Sequence, residues 1–377
     1  MLLNVMTTLY IIGNGFDLTH HLPTKYNPDL FNELVKLDVD VANAISELYF
    51  QNNVHYWQNF ENLIGKVDEH LINDLRNNIE NNIQAFQDEK DTEIYYFGPE
   101  DEKYGDDYSA VDNALNSASQ AHVDIERALE STPLLQIDKI KSALNEGFEN
   151  MISQANDMNT KKPERLFNKF DRINDKFITF NYTNTLEQVY GIPKNNILHI
   201  HGDLDLPAWG NQDININELQ NDFFHEIDYS NHQDDFDLEH AKPDEIAAYN
   251  ASRRGEDAAF PSNYDDYLSE LNEPDSLLDE VVSDLNTLNS SMIKTLKIEE
   301  LEQWIDSNTA QKEIQSVSVI GHSLGTVDMP YFNLLADKFN NKKWIVSFHG
   351  KEDPVFKNES ALNGHLISGN QLCFYSL

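Results

Sequence analysis

Four short clusters in this 377-residue chain carry residue types suited to chemistry. Gly13-Asn14-Gly15-Phe16-Asp17 pairs two glycines with a carboxylate. Glycines let a backbone approach a diphosphate closely, and short side chains leave amides free to donate. The run is not G-x-G-x-x-G, so an ordinary strand-to-helix turn accounts for it equally well. Asn181-Tyr182-Thr183-Asn184 offers an amide able to hold a ribose hydroxyl or orient a water. An Asx turn opening a helix is the plainer explanation. His199-Ile200-His201-Gly202-Asp203 places His199, His201 and Asp203 on one face if a strand continues through them. That pattern suits a metal site or a catalytic histidine with polar support; a capped strand end is the bland reading. No further His/Asp set has compelling metal spacing, so no metal is expected. Gly321-His322-Ser323-Leu324-Gly325 matches G-x-S-x-G, the nucleophile elbow of α/β-hydrolases. A hydrolase would need its acid and histidine after Ser323, from Asp353 with His349 or His365. Otherwise Ser323 is a polar loop residue and Asp328 a helix cap.

Each cluster needs an element to hold it. Thr8–Ile12 is a short apolar run of β-formers ending at Gly13, which reads as a buried strand entering a tight turn. Phe177–Phe180 and Asn196–His201 read as strands flanking a short helix, Asn184–Val189, that Gly191 and Pro193 stop. The connection fits a parallel crossover. Val317–Ile320, Trp344–Phe348 and Gln371–Tyr375 complete the expected strands. Asp328 is placed to cap a helix with Pro330 in its first turn. Between these blocks the periodicity is helical: from Asn27-Pro28-Asp29 through Leu30, Phe31, Leu34 and Val35, from Val41 to Lys90, and from Val111 to Met158. Phe97–Tyr108 reads as a polar loop, and a further helix is expected at Ile298–Asp306. The expected architecture is α/β, a Rossmann-like parallel sheet with a large helical insertion. Residues 1–40, 165–211 and 312–377 form the core, 41–164 the helical insertion, and 212–311 an acidic insertion.

The formal net charge of −38 repels phosphate backbones, which disfavours direct nucleic-acid binding. Within Gln212–Asp284 only Lys242, Arg253 and Arg254 oppose the carboxylates, and the stretch reads as ordered patches joined by mobile loops. Hydrophobic residues at 40% suffice for a sizeable core. A single cysteine, Cys373, excludes an internal disulfide framework and a four-cysteine zinc module. Leu2–Ile12 is too short to span a bilayer and lacks the pattern of a signal peptide, so a cytoplasmic protein with no membrane contact is expected.

Taken together the motifs are more specific than singly. Leu9–Asp17 followed by Leu22-Pro23-Thr24 resembles the opening of the AbiH abortive-infection family. Trp57, Phe60 and Glu61 resemble its helical segment, and Phe177–Glu187, Leu198–Asp203 and Ile320–Asp328 its remaining motifs. That family is in turn similar, distantly, to sirtuin-like NAD-binding domains of bacterial defence proteins. The resemblance implies a phage-defence protein with NAD as ligand or substrate. It places Gly13, Asn14, Gly15, Phe16 and Asp17 in the first ligand loop, Tyr182 beside the catalytic Asn181, and His201 as the catalytic histidine. Gly321, Ser323 and Asp328 fall in the last loop. Asn14 stands where small residues are usual, and Thr183 where those proteins tend to have Asp. A sirtuin deacetylase is excluded by the missing zinc cysteines. A nucleotide-sensing module without catalysis and a serine hydrolase using Ser323 are the alternatives. A homo-oligomer or a phage-derived trigger are the partners such a protein would have, besides the nucleotide.

Overall fold

The computed structural model describes residues 7–67, 136–166, 169–202, 209–211, 283–308, 314–351, 355, 362, 366 and 372–376. The loop read at Phe97–Tyr108, the helical patterns at 68–90 and 111–135, and the acidic stretch up to residue 282 lie outside the described residues. So do Asp203, Asp353 and His365. Contacts divide the chain into two compact units. One comprises Met1–Lys66, Asp138–Ile214 and Ser290–Leu377; the other comprises Val67–Ile137 and Asn215–Asn289, of which residues 283–289 are helical. No helix among the described residues is long and apolar enough to cross a membrane.

In the first unit the chain begins with β1 (Thr7–Ile12), α1 (Asn14–Thr19), α2 (Phe31–Leu37), α3 (Val39–Phe50) and α4 (Phe60–Leu63). Then come α5 (Ile137–Asp157), β2 (Lys176–Thr179), α6 (Thr185–Tyr190) and β3 (Ile197–His199). The last stretch holds α7 (Ile298–Asn308), β4 (Ile314–Ile320), α8 (Met329–Lys338), β5 (Lys343–Phe348) and β6 (Leu372–Ser376). Every expected strand is present. They form one six-stranded sheet in the order β3-β2-β1-β4-β5-β6, and all neighbours pair parallel.

The burial of β1 explains why it reads as a continuous apolar run: a parallel strand is covered on both faces. Leu9 and Ile11 point into a core with Val317, Val319, Trp344 and Val346, closed by Leu301 and Ile305 of α7 and by Tyr331, Phe332 and Leu335 of α8. Tyr10 and Ile12 point the other way, toward Phe16, Phe177, Leu186 and Tyr190. Each such fully buried aliphatic side chain contributes roughly 1.5–3 kcal/mol. The α1 side of the sheet and the α8 side are therefore opposite faces. Strands are added on one side of β1 as β2 and β3, and on the other as β4, β5 and β6. The reversal lies between β1 and β4, and ligand crevices of open parallel sheets form outside the carboxyl ends of the strands at such a point.

Two expected elements differ. The helical pattern from Val41 does not run on: α3 ends at Phe50, and Gln51 and Asn52 take left-handed φ of 50° and 51°. Amide side chains at 51–53 favour leaving the helix, and the exit lets Trp57 pack 4.4 Å from Phe50. The strand expected to reach His201 stops at His199, and Ile200 and His201 lie in a turn.

Candidate functional site

A cavity of about 500 Å³ lies in the first unit, at the carboxyl ends of β1, β2 and β4. Gly13, Asn14, Gly15 and Asp17 line it from the first loop, Asn181, Tyr182 and His201 from the loops after β2 and β3, and Gly321, Ser323 and Asp328 from the loop after β4. Four motifs separated by up to three hundred residues thus share one space. Phe16 does not take part: it is fully buried against His20, Phe170 and Tyr190.

The glycines lock two loops together. Gly13 N donates to Ile320 O at 2.9 Å, Gly15 N donates to Gly321 O at 2.8 Å, and Phe16 N donates to Gly13 O at 2.9 Å. Those amides are therefore engaged with the protein's own carbonyls. A Cβ on Gly15 would lie 2.7 Å from Gly321 Cα, so the two backbones touch where side chains would stand. Asn14 braces the same loop from outside, donating from Nδ2 to Thr24 O at 2.8 Å while the Thr24 hydroxyl donates back at 2.7 Å.

Asp17 is buried, with Thr183 Oγ1 donating to Oδ2 at 2.7 Å and Thr185 Oγ1 to Oδ1 at 3.0 Å. Thr183 and Thr185 thereby hold the carboxyl in place. Burial pushes the Asp17 carboxyl up to about 6, against the two hydroxyls and the nearby Asn181 amide, which oppose the shift. The folded chain holds this proton more tightly than the unfolded one. The associated stability is complete below the ordinary value of 3.8 and is lost as pH rises through about 6. Asp17→Asn removes the cost of the buried charge and is expected to be about 2 kcal/mol more stable than wild type at pH 8. Urea denaturation should find that gap widening by about 1 kcal/mol between pH 5 and pH 7. A gap independent of pH would remove this assignment. Beside Asp17, Asn181 is only 5% exposed, yet neither its Nδ2 nor its Oδ1 makes a hydrogen bond among the described residues. An unsatisfied buried amide costs about 1–3 kcal/mol, and this one lines the cavity.

The opposite wall is an ion network. His201 Nε2 donates to Asp328 Oδ1 at 2.9 Å, and His322 Nε2 lies 3.2 Å from Asp328 Oδ2. Leu324 N donates to His322 Nδ1 at 2.9 Å, so that nitrogen is an acceptor and the His322 proton sits on Nε2. Lys294 Nζ donates to Glu61 Oε2 at 2.9 Å and approaches His201 Nδ1 at 3.4 Å and Asp328 Oδ1 at 3.8 Å. An ammonium only donates and a carboxylate only accepts, so His201 accepts at Nδ1 and donates from Nε2. Burial alone would push the Asp328 carboxyl up, but His201, His322 and Lys294 hold it well below the usual carboxylate range. Burial works against the Lys294 charge too, and Glu61 with Asp328 nonetheless raises its ammonium above the ordinary value. Asp328 stands at the N-cap of α8, as its sequence position implies, but makes no capping bond: the carboxylate is spent on the histidines.

His199 and His201 do not share a face. His199 Nε2 contacts Glu187 Oε1 at 2.9 Å, away from the cavity lining, because the strand ends between the two. Glu61, His201 and Asp328 offer ligand atoms within 4.8 Å of one another, a spacing a metal could use, but the Lys294 ammonium already sits against all three. Sequence reading did not single out Lys294, His322 or Thr183 as site residues. The signal for Lys294 was faint, a lone cation in Ser290–Leu296 otherwise apolar or hydroxylic. The hydrolase elbow is not formed as expected: α8 starts at Met329, six residues after Ser323, with a 3₁₀ turn at Thr326–Asp328 between. His349 is exposed and does not line the cavity.

Among known proteins, the family described as Bacteriophage abortive infection AbiH matches residues 9–348. No curated protein and no solved structure matches the chain.

Proposed function

The chain belongs to the AbiH family of bacteriophage abortive infection, and from that premise we propose that its cavity binds NAD and hydrolyses the nicotinamide–ribose bond. The observation that carries this reading is the unpartnered, buried Asn181 amide in a cavity it shares with the His201–Asp328 pair. The strand order 3-2-1-4-5-6 supports it, being that of doubly wound, Rossmann-like dinucleotide-binding sheets. The sirtuin-like assignment rests on the motif resemblance alone.

In the reaction the C1′–N bond breaks with its electron pair passing to the ring nitrogen, so nicotinamide leaves neutral. Water oxygen bonds to C1′, and its proton passes to a base. His201 serves through Nδ1, with Asp328 orienting the ring through Nε2–H. Asn181 supplies the amide that ribose or the attacking water lacks a partner without. The first-loop amides at Gly13, Gly15 and Phe16 are engaged, so the diphosphate falls to Lys25 at the exposed rim and to Ser323. Asp17 and Tyr182 form the wall around the sugar. Incubation of the full chain with NAD, followed by chromatography, is expected to yield free nicotinamide and ADP-ribose in equal amounts. NAD left intact would overturn the hydrolysis. One contact favours a second reading, binding without cleavage: Lys294 Nζ faces His201 Nδ1, the nitrogen the base needs. Saturable NAD binding with no nicotinamide released would establish it.

A further inference from the structure

The charges that face the cavity are not those that sit behind it. Side chains of Glu61 and Asp328 are 14% and 13% exposed, whereas that of Lys294, which neutralises them from behind, is 1% exposed. Past Lys25 at the rim, the inner wall presents the two carboxylates, while the ammonium they share lies outside the lining. Across the same space Asn181 presents a buried amide with no partner, an independent sign that a ligand completes the site.

Resting on the NAD reading above, we infer that Glu61 and Asp328 form a recognition surface for a cationic heterocycle, which makes the site selective for oxidised over reduced nicotinamide dinucleotide. The two redox forms differ at the ring by one positive charge and share every phosphate, so the acidity of the chain as a whole weighs on both alike. Only a local, partly desolvated excess of negative charge distinguishes them, because such pairs are screened far less than exposed ones. Lys294 keeps the carboxylates together without cancelling them: its Nζ is 2.9 Å from Glu61 Oε2 but 3.8 Å from Asp328 Oδ1. As the bond breaks the positive charge passes from the ring to the sugar, and the carboxylates that held the pyridinium stabilise it there.

The test is calorimetric titration of the full chain with carba-NAD, whose ribose ring oxygen is a methylene so that the glycosidic bond stays intact, in oxidised and reduced forms. Wild type is expected to bind the oxidised form about tenfold more tightly. Glu61→Gln and Asp328→Asn, each nearly isosteric and each removing one charge, should bring the two affinities within about threefold. Circular dichroism identifies any variant that has lost its fold, and the wild-type ratio alone then decides. Equal wild-type affinities, or an unchanged ratio in a folded variant, overturn the inference while leaving NAD binding in place. Binding of neither form overturns the NAD reading and this inference with it. Stoichiometric binding of magnesium chloride alone would make the pair a metal site instead and overturn it too.

Discussion

His201→Ala is expected to lower kcat/KM for nicotinamide release by about a thousandfold, with Asn181→Ala losing a similar factor, while both variants keep the wild-type fold. The factor for His201 follows from its two roles. It takes the proton of the attacking water, and it is held for that by Asp328 at 2.9 Å. Removing the ring leaves Asp328 its contact with His322 at 3.2 Å and Lys294 at 3.8 Å, so the carboxylate stays paired and the loss of stability is about 1–3 kcal/mol. Asn181 is different because its amide does little for the fold beyond opposing the shift at Asp17. Both its polar atoms are buried without a hydrogen bond, so alanine removes a group that costs folding energy. Asn181→Ala should therefore be at least as stable as wild type in urea, by up to about 1 kcal/mol, while losing activity. A side chain that raises activity and lowers stability is the signature of a binding group. Full activity in both variants, with nicotinamide released at the wild-type rate, would remove the assignment.

Gly321→Ala is expected to cost about 4 kcal/mol or to prevent folding. Two effects combine. Gly321 has φ of +67°, a conformation L side chains rarely adopt. Its Cβ would lie 2.2 Å from Phe16 N and 2.5 Å from the Gly15 carbonyl carbon, all backbone and so unable to swing aside. Relief requires the loops after β1 and β4 to part, which breaks the Gly15 N to Gly321 O bond and opens the cavity wall. Chemical denaturation would measure the loss. A variant of wild-type stability would mean that the loops are not interlocked as described.

The fold was legible because its determinants are local. Ile11-Ile12, Phe177–Phe180 and Val317–Ile320 are apolar runs of β-formers ended by glycine or asparagine, and parallel strands buried on both faces have to look like that. The short helix stopped by Gly191, which has φ of +66°, was legible for the same reason. The helix expected to continue from Val41 was not, because the aromatic docking of Phe50, Trp57 and Phe60 that draws the chain out of helix at Gln51 is a tertiary event.

The sequence by itself determined which residues gather at the strand ends: Gly13, Asn181, His201 and Ser323 each follow or close a strand, and a parallel sheet delivers all such positions to one edge. Only the tertiary structure decided what they do there. The first-loop glycines, open to a diphosphate in the sequence, are pressed against Gly321 and give their amides to carbonyls. Asp328, a helix cap by position, bonds the histidines, and Lys294 reaches Glu61 across 233 residues of chain. Backbone pattern repeats every two to four residues and can be read along the chain. Which carboxylate neutralises which ammonium depends on burial and on distances of about 3 Å between segments with no sequence proximity, and these exist only once the chain has folded.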